Sequence, residues 1–266
     1  MTTETPDESG TPQRRRRPFL RILAIVLLVL LVIAGLNALS WALRTTDGDT
    51  VAITDSYDQV EIDVSVGEVV IEAGSGDETT LEYRTESGLL RSADVRQRIE
   101  GNRLIIEGDC GTTWLPLGYC RADVTLTVPP DVDVVAHSSA GRVSASGLQG
   151  SADLESSAGQ VVVHDHSGPL RAHSSAGVVT VDGLASDDAE ISSSAGAVEV
   201  TAVEPPRNLV AESSAGAVRV TLPDVAYDLD ADSSAGDVNV EVPTDPDSEY
   251  HVRAQSSAGA VTVNTG

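Results

Sequence analysis

The chain has 266 residues, 41 acidic against 17 basic side chains, and a formal net charge of −24 at pH 7. Such a charge repels phosphate and excludes nucleic acid as a partner. Scattered along the chain, it favours solubility and opposes self-association; a functional use for it would be to hold cations or a basic partner.

Residues 1–18 open with Thr, Glu, Pro, Ser and Gly, too polar to build a core, and read as a disordered cytoplasmic stub. Residues 22–43 carry no charge and, at about 1.5 Å per residue, cover roughly 33 Å, enough for a hydrocarbon core. A transmembrane signal-anchor helix is predicted over 19–43. Arg14 to Arg17 and Arg21 precede its uncharged span, whereas Arg44 behind it is offset by Asp47 and Asp49. The positive-inside rule then puts the N-terminus in the cytoplasm and the rest outside, as a single-pass protein of the cell membrane. A cleaved signal ending near Ala38-Leu39-Ser40, or a twin-arginine signal built on Arg16-Arg17, are the competing readings, and both also export the C-terminal part.

Residues 44–130 show alternation of period 2 in Val60-x-Ile62-x-Val64, Val69-x-Ile71 and Val124-x-Leu126-x-Val128, with a further run at Leu104 to Ile106. Ser65-Val66-Gly67 reads as a degenerate copy of the repeat described next. This region is expected to be an irregular β cap, because the first coil of a stack must hide its strand edge. Cys110 and Cys120 bracket a Gly- and Pro-containing segment, and an exported location permits a disulfide worth about 2–3 kcal/mol. A metal or catalytic pair would call for CxxC spacing or partner histidines, which are missing.

From residue 131 to 266 the tetrapeptide Ser-Ser-Ala-Gly recurs seven times, ending at Gly141, Gly159, Gly177, Gly196, Gly216, Gly236 and Gly259, each followed by a near-constant x-Val-x-Val. The periods of 18 to 23 residues and the two-residue alternation predict an all-β fold, a parallel β-solenoid of about seven coils, each with two short strands meeting at a glycine corner. Interior positions compensate in volume: Val134 with Ala136 and Leu170 with Ala172, against Ala152 with Leu154 and Ala189 with Ile191. All length variation falls in the connections after the second Val, so one edge carries every insertion. The corner glycines are expected to occupy backbone conformations closed to other residues. At its C-terminal end the stack is expected to lack a cap, its edge either covered by a partner or tolerated.

Seven serine pairs read as a ladder rather than as nucleophiles, since a catalytic Ser has no reason to recur in every coil; the first Ser should point inward and the second outward. No catalytic residue and no cofactor is assigned. Four positions before each corner lies an outward column, expected in the order His137, Glu155, His173, Ser192, Glu212, Asp232, Gln255. There His137, Glu155 and His173 form a candidate weak metal site, with a solvated ladder as the plainer reading.

A single export helix, a Val-rich strand segment, a cysteine pair before a strand ending in Pro129-Pro130, and Ser-Ala-Gly-x-Val-x-Val coils resemble the DUF4097 family of adhesin candidates over about residues 50–266. The resemblance implies a β-solenoid ectodomain with an adhesive or envelope-associated role and no catalytic residues to transfer. The expected function is a non-catalytic, membrane-anchored interaction scaffold binding a surface protein or glycan. The alternative is a regulatory ectodomain that senses envelope conditions and acts on membrane partners.

Overall fold

The computed structural model describes residues 17–76, 78–88, 91–111 and 119–266. Most of the predicted cytoplasmic stub and most of the segment between the two cysteines lie outside the described residues. Helix α1 (Arg17–Ala42) passes within two residues into β1 (Thr45–Ile53). Then follow β2 (Gln59–Val66), β3 (Val69–Ala73), β4 (Thr79–Ser87), β5 (Ala93–Glu100), β6 (Arg103–Cys110) and β7 (Cys120–Val128).

Each tetrapeptide then sits at the corner of one strand pair. These pairs are β8 (Asp133–Ala140) with β9 (Val143–Ser146), β10 (Ala152–Ala158) with β11 (Val161–His164), and β12 (Leu170–Ser174) with β13 (Val179–Leu184). They continue as β14 (Asp188–Ala195) with β15 (Val198–Ala202), β16 (Asn208–Ala215) with β17 (Val218–Leu222), β18 (Asp228–Ser233) with β19 (Val238–Val240), and β20 (His251–Ser256) with β21 (Val261–Thr265).

Every pair gives one strand to each of two sheets, and within the stack the pairing is parallel and in register save for a shift between Asp182 and Leu184 where β13 meets β15. The chain is thus a parallel β-solenoid, with its core between the sheets. Large and small residues trade places there as their volumes require: Leu154, Leu170, Ile191 and Leu209 are buried, each beside a buried alanine. Ser65-Val66-Gly67 is a corner of the same stack, since β2 pairs with β8 and β3 with β9.

Two expectations are corrected. The first is the order of the coils. The sheets run β6-β2-β8-β10-β12-β14-β16-β20-β18 and β7-β3-β9-β11-β13-β15-β17-β21-β19. The last coil of the chain therefore lies inside the stack, between the fifth and sixth tetrapeptide coils, and the sixth forms the far end. The same overstep occurs at the other end, where β6 and β7 stack outside β2 and β3 and the chain returns past them to β8. In chain order Asp232 would sit beside Glu212; in the observed order the neutral Gln255 separates them.

The outgoing and returning connections at the far end are fastened together. Tyr227 N–H donates to Pro243 O (3.1 Å), Asp245 N–H to Tyr227 O (2.9 Å) and Ser248 Oγ to Ala226 O (2.8 Å). Tyr227 itself is fully buried, its ring 6.1 Å from that of Tyr250, and burial pushes its phenol up to about 12.

The second correction concerns the corners. At Gly177 the backbone is not in the left-handed region; a Cβ there would lie 1.8 Å from the Gly159 carbonyl oxygen of the coil below. Close stacking of successive corners reserves the whole column for glycine, and at Gly141 (φ 149°) and Gly259 (φ 156°) the expected dihedral restriction holds as well.

The near end is closed by antiparallel strands. β4 covers β7 and β1 covers β4, while β5 covers β6. Among the described residues the far end has no such cover. Val238 and Val240 are 44% and 39% exposed, whereas their counterparts Val261 and Val263 in the adjacent coil are at 0%.

Candidate functional site

The corner of each coil ties it to the one below. Ser174 Oγ donates to Gly159 O (2.8 Å), and Ser156, Ser193, Ser213, Ser256 and Ser233 repeat the bond to the corner carbonyl beneath them at 2.8–2.9 Å. These hydroxyls are spent on structure, since a corner carbonyl inside the stack has no water to bond. Ser138, the first of the ladder, is buried with its Oγ unpartnered. The second serine of each pair faces outward, and Ser194, Ser214, Ser234 and Ser257 are exposed.

Alternation places the residue before each inward serine on the outer face of the sheet that runs from β6 to β18. Register aligns Asp63, His137, Glu155, His173, Ser192, Glu212, Gln255 and Asp232 there as one column. His137 Nδ1 lies 3.7 Å from Glu155 Oε2, so this pair of the candidate metal site is brought together. His173 is engaged elsewhere, with Nδ1 2.9 Å from Ser192 Oγ and Nε2 3.5 Å from Ser175 Oγ. Among the described residues no three His, Cys, Asp or Glu side chains gather as a metal would need.

Further along the same face a shallow groove of about 280 Å³ follows the column toward the far end, lined by His173, Glu212, Gln255, Asp232 and the outward serines. Its walls are carboxylates and hydroxyls, suited to a polar or cationic ligand. The far coil continues this surface. Asp228, Asp230 and Asp232 of β18 stand opposite His251, Arg253 and Gln255 of β20. Asp228 Oδ2 lies 3.0 Å from His251 Nδ1, and Asp230 Oδ2 lies 3.3 Å from Arg253 Nε and accepts from Gln255 Nε2 at 3.0 Å.

At the near end Cys110 and Cys120 form a disulfide with Cα atoms 5.9 Å apart, joining β6 to β7 where other coils carry a glycine corner. The end of α1 rests against this cap. Ser40 is fully buried and Tyr119 N–H points to its Oγ at 3.4 Å; the Arg44 guanidinium sits 5.2 Å from the Trp41 ring centroid and 5.9 Å from that of Tyr119.

The bare valines of the far coil and the Glu212–Gln255–Asp232 sequence are the surface features that the repeat pattern did not foretell. The signal for them was the longest period, 23 residues between Gly236 and Gly259, whose extra length forms the returning connection.

The family model described as Toastrack DUF4097 matches residues 57–265. Among solved structures, a candidate adhesin from Parabacteroides distasonis is similar at 13% identity, covering 84% of this chain and 97% of that one with a TM-score of 0.45. A candidate cell adhesion protein from Clostridium sporogenes is similar at 10% identity, over 84% and 100%, with a TM-score of 0.40. A candidate lipid-binding protein from Parabacteroides distasonis matches at 13%, over 83% and 97%, with a TM-score of 0.33. No curated protein matches the chain.

Proposed function

From the premise that this chain belongs to the Toastrack DUF4097 family, we propose that it is a membrane-anchored extracytoplasmic scaffold that binds a surface partner rather than transforming a substrate. The observation that carries the reading is α1. Its apolar side chains stand bare along its length, Ile22 at 60% and Leu31 at 61% exposed, and residues Ile22–Ala42 are long and apolar enough to cross a membrane. Lipid is the cover such a surface calls for. The arginines before the helix favour an outward solenoid. The serine ladder supports a structural use of the repeated serines, because six of its inward hydroxyls donate to corner carbonyls.

Protease added to intact cells is expected to digest the solenoid, and alkaline carbonate to leave the full-length protein in the membrane pellet. A mature chain starting near Trp41 would overturn the anchor. A sensing role has one observation in its favour: only Leu43 and Arg44 separate α1 from β1, and the buried Ser40 pins the helix end to the cap, so movement of the ectodomain would reach the membrane helix. Crosslinking that recovers a membrane protein bound through α1 would favour that role.

A further inference from the structure

The far coil is unfinished in a defined way. In the sheet that ends in β18, that strand has a partner on one side, β20, and among the described residues its other side is a free edge; in the other sheet β19 likewise pairs only with β21. Asp228 N–H donates to Tyr250 O and Ser234 N–H to Ser256 O. The even-numbered amides of β18 thus face β20, and by alternation those of Leu229, Ala231 and Ser233 point out of the free edge. On the core side, the exposed Val238 and Val240 have no coil above them to cover them. On the outer side, Asp228, Asp230 and Asp232 form an acidic row facing outward from the strand.

A strand's side chains meet neighbours on both edges, so β20 displays the chemistry that β18 accepts: His251, Arg253 and Gln255 outward, Val252 and Ala254 inward. We propose that the free edge of β18 and β19 docks an extended segment of a partner protein in which basic residues alternate with small apolar ones, added in parallel as one more coil. Backbone bonds would supply affinity, the valines an apolar floor, and the aspartates the choice of partner. A second copy docked edge to edge would bring two acidic rows together, which the like charges oppose. The inference deepens the scaffold reading and rests on it for the partner's location. The binding chemistry stands apart from membrane topology, so a failure here leaves the protease and carbonate result intact.

The probe is a labelled peptide of residues 250–265, the sequence that already satisfies β18 on its other side. It is titrated by fluorescence anisotropy against the full chain in detergent micelles. Saturable binding is expected, weakened at least tenfold when the peptide carries glutamate at the positions of His251 and Arg253, and weakened by salt. Ala231→Pro removes an outward amide without touching the bonds to β20, and proline is tolerated on such an edge. It should cut affinity at least tenfold while the melting temperature stays within a few degrees. Val240→Lys, at an already exposed position, should do the same, so the test survives if one variant fails to fold. Absence of saturable binding to the parent chain, or parent-like affinity in folded Ala231→Pro, overturns the proposal. So does a parent dimer in sedimentation that Ala231→Pro renders monomeric, because the occupant would then be a second copy.

Discussion

Between Asp133 and Leu222 the chain climbs one coil at a time, each coil stacking on the one that precedes it within this range. At both ends it oversteps by one coil and returns, so that the outermost coil is never the first or last in the chain. The middle is held by repetition. Every coil there offers the same corner and the same inward serine, and the apolar filling changes chiefly in which position is large and which is small. The ends are held by features that are not repeated: the disulfide and antiparallel strands at the near end, and Tyr227, the long return connection and the Asp-rich edge at the far end. In a stack of near-identical units, order is decided where the units differ.

The sharpest way to break this comparison is to place a side chain in the corner column. Gly177→Val would force a Cβ into the Gly159 carbonyl within a stack closed on both sides, and should cost about 3 kcal/mol or more in denaturant unfolding. Gly236→Val meets the Gly259 carbonyl oxygen at 2.2 Å, but its coil is bare on the far side and can move away. Its effect should be confined to fast amide exchange in β18 and β19. Equal global losses in the two variants would contradict the distinction between middle and end.

Next in size is the disulfide. Replacing both Cys110 and Cys120 by alanine should cost about 2–3 kcal/mol and loosen hydrogen-exchange protection in β4 to β7. Protection in β10 to β17 should be retained. Loss of protection throughout would mean that the cap nucleates the whole stack.

The serine ladder offers a smaller and more selective test. Ser174→Ala removes a bond to a buried carbonyl and should cost about 1 kcal/mol, whereas Ser138→Ala removes an unpartnered buried hydroxyl and should be neutral or stabilising. A thermal-melt comparison that reverses this ranking would refute the ladder's role.

The smallest effect concerns pH. His166, in the connection between β11 and β12, is buried with Nδ1 unpartnered, and burial pushes its imidazole below the ordinary value of about 6.5. The unfolded chain takes up a proton near pH 6.5 while the native state resists it. The stability tied to His166 is therefore full above about pH 6.5 and falls as pH drops toward the lower native value. His166→Leu should flatten that part of the acid limb in pH-dependent melts; an unchanged slope would show that other groups set it.

Strand periodicity, the corner columns, the inward serines and the volume exchange between Ala152–Leu154 and Leu170–Ala172 were legible in the sequence, because each depends only on alternation along a strand and on contact with an equivalent coil. The apolar helix was legible for the same reason: length and composition are local properties. The order of coils, the intercalation of residues 251–265 and the bare edge at Val238 and Val240 were decided only by the tertiary structure. The repeats share corner, serine and strand period, and that shared pattern by itself does not say which coil stacks on which. The address lies in contacts that exist only after folding, such as Gln255 between Glu212 and Asp232, and Tyr227 beneath the returning chain. The same holds for His173, whose partner is Ser192 rather than Glu155. Register puts all three side chains in one column, but the rotamer and the local hydroxyls decide which neighbour the ring meets.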